Sequence, residues 1–152
     1  VQQTGGYNLN HFTLTPVASQ TPLEAWRSAN FTQAELADPA IRGNTANPAK
    51  DGIPNLMKYA LGLNPAIAYP PNLSGLPTQA IVIGDTGEHL SVTFNAAATD
   101  VVYNVQATSD LLNWTTVYLS SLGQTTGTVT VIDTVPVLSS TGRFMRLNIT
   151  AP

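Results

Sequence analysis

With 152 residues, 43% of them hydrophobic and only 10% charged, and a formal net charge of −3, the chain is long enough for one full core and carries no basic surface of the kind nucleic acid selects. No run has the apolar length of a membrane-spanning helix, and no basic amphipathic helix is present to lie on a bilayer. The absence of cysteine excludes disulfides, thiolate nucleophiles and zinc–thiolate centres together.

Heavy use of Thr and Asn, the low charge, and a start at Val1 rather than at an initiator Met point to an extracellular or cell-surface setting. Residues 1–16 read as an N-terminal strand arm. Tyr7 and Leu9 share one parity and Phe12 and Leu14 the other, so a bulge near Asn10 and His11 would bring all four to one side. Gly5 and Gly6 before it and Pro16 after it make this segment detachable, either pairing within its own domain or adding to a sheet edge elsewhere.

Residues 17–65 form a helical cap. Thr21 to Glu24 matches a capping box with Pro22 at the first helical position, and Thr32 to Glu35 repeats the box. Leu23, Trp26, Phe31 and Leu36 supply an apolar side, with Trp26 as the anchor against the β domain. From Asn47 to Lys58 the chain has the length and glycine position of an EF-hand-type calcium loop. Such a loop takes oxygens from positions 1, 3, 5, 7 and 9 and a bidentate Glu at 12, with Gly at 6. Asn47, Asp51, Gly52 and Asn55 fall at positions 1, 5, 6 and 9, but Ala49 stands at 3 and Lys58 at 12. A lysine in place of the bidentate carboxylate argues against calcium, and no metal or cofactor is expected. The expectation is that the Lys58 ammonium, directed at Asp51 and nearby carbonyls, takes the ion's place. The alternative is a solvated Lys58 beside an ordinary Asx-rich turn. Pro54 then opens a short helix through Leu61 that Gly62, Asn64 and Pro65 close.

Residues 66–78 form a Pro-rich connector containing Tyr69, Pro70 and Pro71. Beyond it, residues 79–152 carry strand signals at regular intervals: 79–83, 89–95, 101–108, 114–119, 127–132 and 143–150. Short β-branched strands separated by Gly, Asn, Asp or Ser turns predict a mainly β fold, an antiparallel sandwich of immunoglobulin or fibronectin type. Its core is expected from Val92, Phe94, Val101, Tyr103, Val105, Val129, Val131, Phe144, Met145, Leu147 and Ile149.

Trp26 and Phe31, the run from Asp51 through Asn55, Leu56, Tyr59, Ala60, Leu61 and Gly62, then Ser109, Asp110, Leu111 and Trp114, and finally Phe144, Arg146 and Leu147 carry a family resemblance. The chain resembles a C-terminal module of secreted bacterial surface proteins, autotransporter-like proteins and polysaccharide-active enzymes, with the pattern D-P-D-G-D-G-x-x-N-L-x-E-Y-A-L-G, S-x-D-L-x-x-W and F-x-R-L. The resemblance covers most of residues 22–150. In that family the acidic loop looks like the calcium loops of dockerins and thrombospondin type 3 repeats; Asn47, Ala49 and Lys58 depart from it, so the metal does not carry over.

Candidate catalytic groups are scattered. Asp85, Thr86 and Gly87 spell the D-T-G of aspartic proteases, but that chemistry needs two such carboxylates sharing a proton, and here the triplet lies between two strands as a hairpin turn. His11 and His89 have no helix-spaced partner for zinc. Asp85, Glu88, Asp100, Asp110 and Asp133 fall near turns, where solvated or Asx-turn carboxylates are expected. Asn30, Asn72, Asn113 and Asn148 each open an N-glycosylation triplet, a pattern common by chance in a chain so rich in Thr and Asn. The sequence therefore points to a non-catalytic structural subunit whose partners are copies of itself, forming a filament or surface assembly by strand addition through Tyr7, Leu9, Phe12 and Leu14. The rival is a glycan-binding or spacer module, with Trp114, Tyr118 and Tyr69 as a stacking platform.

Overall fold

A computed structural model describes residues 19–71, 74–139 and 142–152; the expected strand arm, with Tyr7, Leu9, Phe12 and Leu14, lies outside the described residues. Thr21 caps α1 (Pro22–Asn30), its hydroxyl accepting from the Glu24 amide at 3.2 Å. The reciprocal half of that capping box is not made, because the Glu24 carboxylate turns to Arg27 one turn along the helix. The second box is complete: in α2 (Gln33–Leu36), Thr32 Oγ1 accepts from the Glu35 amide at 3.3 Å and Glu35 Oε2 from the Thr32 amide at 2.8 Å. A further turn that the sequence reading did not anticipate, α3 (Pro39–Arg42), is capped by Asp38, whose Oδ1 accepts from the Ala40 amide at 2.8 Å. After the loop, α4 (Asn55–Leu61) starts behind Pro54 and stops at Gly62, which takes a left-handed φ of +74°. Trp26 meets Phe31 at the end of its own helix edge-on, ring centroids 5.9 Å apart, and joins α1 to α4 through an edge contact with Tyr59 at 5.5 Å.

Six strands follow: β1 (Thr78–Gly84), β2 (Gly87–Ala96), β3 (Val102–Thr108), β4 (Thr115–Leu119), β5 (Gly127–Pro136) and β6 (Phe144–Thr150). They form two three-stranded antiparallel sheets, ordered β1-β2-β5 and β4-β3-β6. The triplet of Asp85, Thr86 and Gly87 lies in the β1–β2 hairpin, where Gly84 pairs with Gly87. β5 runs past the expected end at Ile132 to Pro136, because a bulge opposite His89 and Ser91 takes up the extra residues and lets pairing resume.

One apolar core joins both sheets and α4. Val92, Phe94, Ala96 and Val131 come from the first sheet, Tyr103, Val105, Ala107, Met145 and Ile149 from the second, and Tyr59, Ala60, Leu61 and Leu63 from the helix and its exit. Phe94 stacks on Tyr103 at 5.5 Å. The buried Tyr103 hydroxyl donates to the Ala60 carbonyl at 2.6 Å and accepts from the Ala98 amide at 3.1 Å, tying the cap to the second sheet. The expected core needs one correction. Phe144 is 45% exposed, because Met145, Leu147 and Ile149 take the inward face of β6 and alternation turns Phe144 outward.

Candidate functional site

The loop 47–58 holds its shape through backbone geometry and two side chains. Lys50 and Gly52 both take positive φ, +57° and +82°. Asn47 Oδ1 accepts from the Asp51 amide at 3.2 Å, and Asp51 Oδ1 from the Ile53 amide at 3.0 Å, an Asx turn. The other Asp51 oxygen accepts from the Tyr69 amide at 3.0 Å and meets Lys58 Nζ at 2.7 Å. Lys58 Nζ also donates to the carbonyls of Ile67, at 2.8 Å, and Pro65, at 3.4 Å, and lies 5.5 Å from the centre of the Tyr69 ring.

Both charges are out of solvent: the Lys58 side chain is 0% exposed and that of Asp51 4%. Three acceptors match the three protons of the ammonium, the condition under which a buried charge is tolerable. Burial acts to raise the Asp51 carboxyl, but the Lys58 hydrogen bond, the Ile53 and Tyr69 amides and the Lys58 charge outweigh it and hold it at about 2. The ammonium thus sits among oxygens drawn from loop position 5 and from the segment after α4. Asn55, at loop position 9, faces elsewhere: its Nδ2 donates to the carbonyls of Ile41 at 2.7 Å and Gly43 at 3.0 Å, fastening α4 to α3. Among the described residues no group of three or more His, Asp or Glu side chains is placed to hold a metal ion. What the Lys58 arrangement can do chemically is neutralise and fasten, joining the loop, α4 and the connector at one point.

The three aromatic candidates are not brought to one face. Tyr118 on β4 pairs with Val105 and packs, partly buried, against the core. Trp114, just before β4, carries the Arg146 guanidinium 3.9 Å from its ring centre and donates from its indole N–H to the Leu111 carbonyl. Tyr69 belongs to the Lys58 cluster, and its hydroxyl accepts from the Asn64 amide at 3.1 Å.

Several titratable groups outside the loop are engaged in hydrogen bonds and ion pairs within the fold. Asp133, expected as a solvated turn residue, is 1% exposed and instead grips Arg143 through both oxygens, because the bulged extension of β5 carries it inward. His89, 6% exposed, has Nδ1 2.8 Å from the Asp133 carbonyl and Nε2 2.9 Å from Thr86 Oγ1. Asp110 is an exposed Asx turn accepting from the amides of Leu112 and Asn113, which with the Asn113 side chain hold its carboxyl well below the usual range. Tyr59 donates to Asp100, and burial together with that carboxylate pushes its hydroxyl above the usual tyrosine value. The Asp133–Arg143 pair and the Tyr103 hydroxyl bridge were missed at the sequence level, and no local pattern signals them, since their partners are set by sheet pairing. A shallow cleft of about 210 Å³ lies between Thr21, Pro22, Leu23, Asp100, Ala151 and Pro152.

Compared with protein-family models, with curated proteins and with solved structures, the chain has no significant match.

Proposed function

We propose that this chain is a non-catalytic extracellular structural module that self-associates into a filament or surface assembly, with the N-terminal segment of one copy adding as a strand to a sheet of the next. The observation that carries this reading is the strand arrangement. Two three-stranded sheets leave four edges, on β1, β5, β4 and β6, and none of them is paired among the described residues. A chain with so little charge offers weak repulsion between copies, and open edges are templates for further strands. The strand order also fits the immunoglobulin or fibronectin-type sandwich: β1-β2-β5 corresponds to strands A-B-E, β3 and β6 to C and F, and β4 to the extra strand beside C. The resemblance to C-terminal modules of secreted bacterial surface proteins supports the extracellular setting. Glycan stacking has less support, since Trp114, Tyr118 and Tyr69 occupy separate surroundings and Arg146 already covers one face of Trp114.

Deleting residues 1–16 tests the reading. Sedimentation and electron micrographs of the intact chain should show polymers that the shortened chain, folded by circular dichroism, fails to form. Polymers that persist after the deletion, or an intact chain that stays monomeric, would refute it.

A further inference from the structure

The acceptor edge can be named from the way the two sheets overlap. The closest approaches between the two sheets across the core are β2 over β6 and β4 over β5, and β1 takes part in neither. In the β1–β2 ladder Gln79 pairs with Val92, Ile81 with Leu90 and Ile83 with Glu88, which places Ile81 and Ile83 on the face that Val92 and Leu90 turn toward the core. Yet Ile81 is 58% and Ile83 88% exposed. Two isoleucines on the inward face of a sheet are solvated because the second sheet stops one strand short, at β6. A fourth strand added beside β6 would lie opposite β1 and cover them. In the strand order proposed above this is the place of strand G, the neighbour of F.

The remaining chain shows what could fill it. The described chain begins at residue 19, and Thr21 to Leu23 line a cleft with Ala151 and Pro152, at the exit of β6. The start of α1 therefore lies at the Thr150 end of the gap. An antiparallel partner of β6 has its residue 7 near Thr150 and its residue 14 near Phe144. If that partner came from the same chain, residues 15–20 would have to return the whole length of β6, seven residues, to reach Thr21. That is a span of about 20 Å, and the seven Cα steps from residue 14 to Thr21 reach at most about 25 Å fully extended, of which a two-residue reversal of direction takes about 7 Å and leaves about 18 Å. Within one chain only a parallel addition is free of this limit, whereas every strand pair described in both sheets is antiparallel and parallel pairing is the weaker kind.

We infer that residues 7–14 of a second copy add to β6 as an antiparallel fourth strand, seating Tyr7, Leu9, Phe12 and Leu14 over Ile81 and Ile83 of β1. This rests on the self-association proposed above and specifies its acceptor site. The chemistry is that of strand addition: main-chain hydrogen bonds to the open edge supply affinity, and alternate apolar side chains supply register.

The test uses the full-length chain. Ile83→Asp puts a carboxylate where the added strand must seat apolar side chains, and being at an exposed position it leaves the monomer folded; polymer yield should fall by roughly a hundredfold or more. Leu112→Asp, equally exposed but on the β3–β4 turn, should leave yield unchanged. Wild-type polymers with undiminished polymers of Ile83→Asp would overturn the acceptor site and leave self-association standing, whereas a wild-type chain that never polymerises would overturn both. Because the sequence has no cysteine, Ile83→Cys offers a single thiol for a benzophenone cross-linker. After mixing heavy-isotope and light monomers before assembly, cross-links from position 83 should reach residues 7–14 of the other isotope. Cross-links confined to one isotope, or to peptides other than 7–14, would overturn the proposal.

Discussion

At the scale of single residues, Lys58 and Asp51 dominate, because each is buried and each depends on the other. Removing one partner of such a pair leaves a charge in the interior, which typically costs about 3–5 kcal/mol. Lys58→Met, close in size and apolar, should destabilise the chain by about that much at neutral pH in urea unfolding. Its pH dependence carries the sharper prediction. In the native chain the Asp51 carboxyl is depressed from its ordinary 3.8 to about 2, so the stability it contributes is present above pH 3.8 and is lost as pH falls toward 2. In Lys58→Met burial is opposed only by the Ile53 and Tyr69 amides, so the carboxyl lies higher than in the native chain and takes up its proton at a higher pH. The gap between the two proteins should therefore hold near neutral pH and narrow as pH falls through the acid range toward 2, where the native carboxyl also protonates. A constant gap would mean that Asp51 is not the group left uncompensated.

At the scale of elements, turns that reverse the chain are held by glycines whose surroundings differ. Gly62 closes α4 at φ +74°, and a Cβ there would lie 3.0 Å from the Ala97 Cβ; Gly52, at φ +82°, has open space around the same position. Gly52→Ala should cost about 1 kcal/mol from backbone strain alone, and Gly62→Ala clearly more, about 2 kcal/mol or above, as read from urea midpoints. Equal losses would show that the α4 exit yields freely against β2. Such local features are what the sequence expresses well. The Thr32 and Glu35 box, the stop at Gly62 and the six strands were legible because capping, turn chemistry and alternation act over a few residues. The Asp38 and Pro39 start of α3 was equally present in the sequence and was overlooked. What could not be read is pairing. That Asp133 meets Arg143, that Phe144 faces out while Met145 faces in, and that Ile81 and Ile83 on β1 stay exposed all follow from which strands lie side by side. At the loop, the spacing of Asp51 and Lys58 showed that the two could meet, whereas the Ile67 and Pro65 carbonyls completing the site come from a connector with no motif of its own.

At the scale of the whole molecule, the boundary drawn in the sequence between the helical cap at 17–65 and the strands at 79–152 does not divide the core. Ala60 and Leu61 are as deeply buried as Val101 and Val105, Leu63 is buried beside them, and one apolar cluster runs through both parts. The Tyr103 hydroxyl and the Ala97 amide both reach the Ala60 carbonyl, so opening the cap would expose polar backbone as well as apolar surface. Parts joined in this way lose their stability together, and calorimetry should show a single transition whose van't Hoff and calorimetric enthalpies agree. Tyr103→Phe makes the link measurable. It keeps the ring stacked on Phe94 but leaves the buried Ala98 amide without the hydroxyl it donates to, a loss of about 1–3 kcal/mol. If cap and sheets form one cooperative unit, that loss lowers the midpoint of the single transition and leaves it single. If the cap instead melts separately, the substitution should split the trace, with a first step that parts Trp26 from Tyr59 and changes the Trp26 fluorescence while the sheets remain folded.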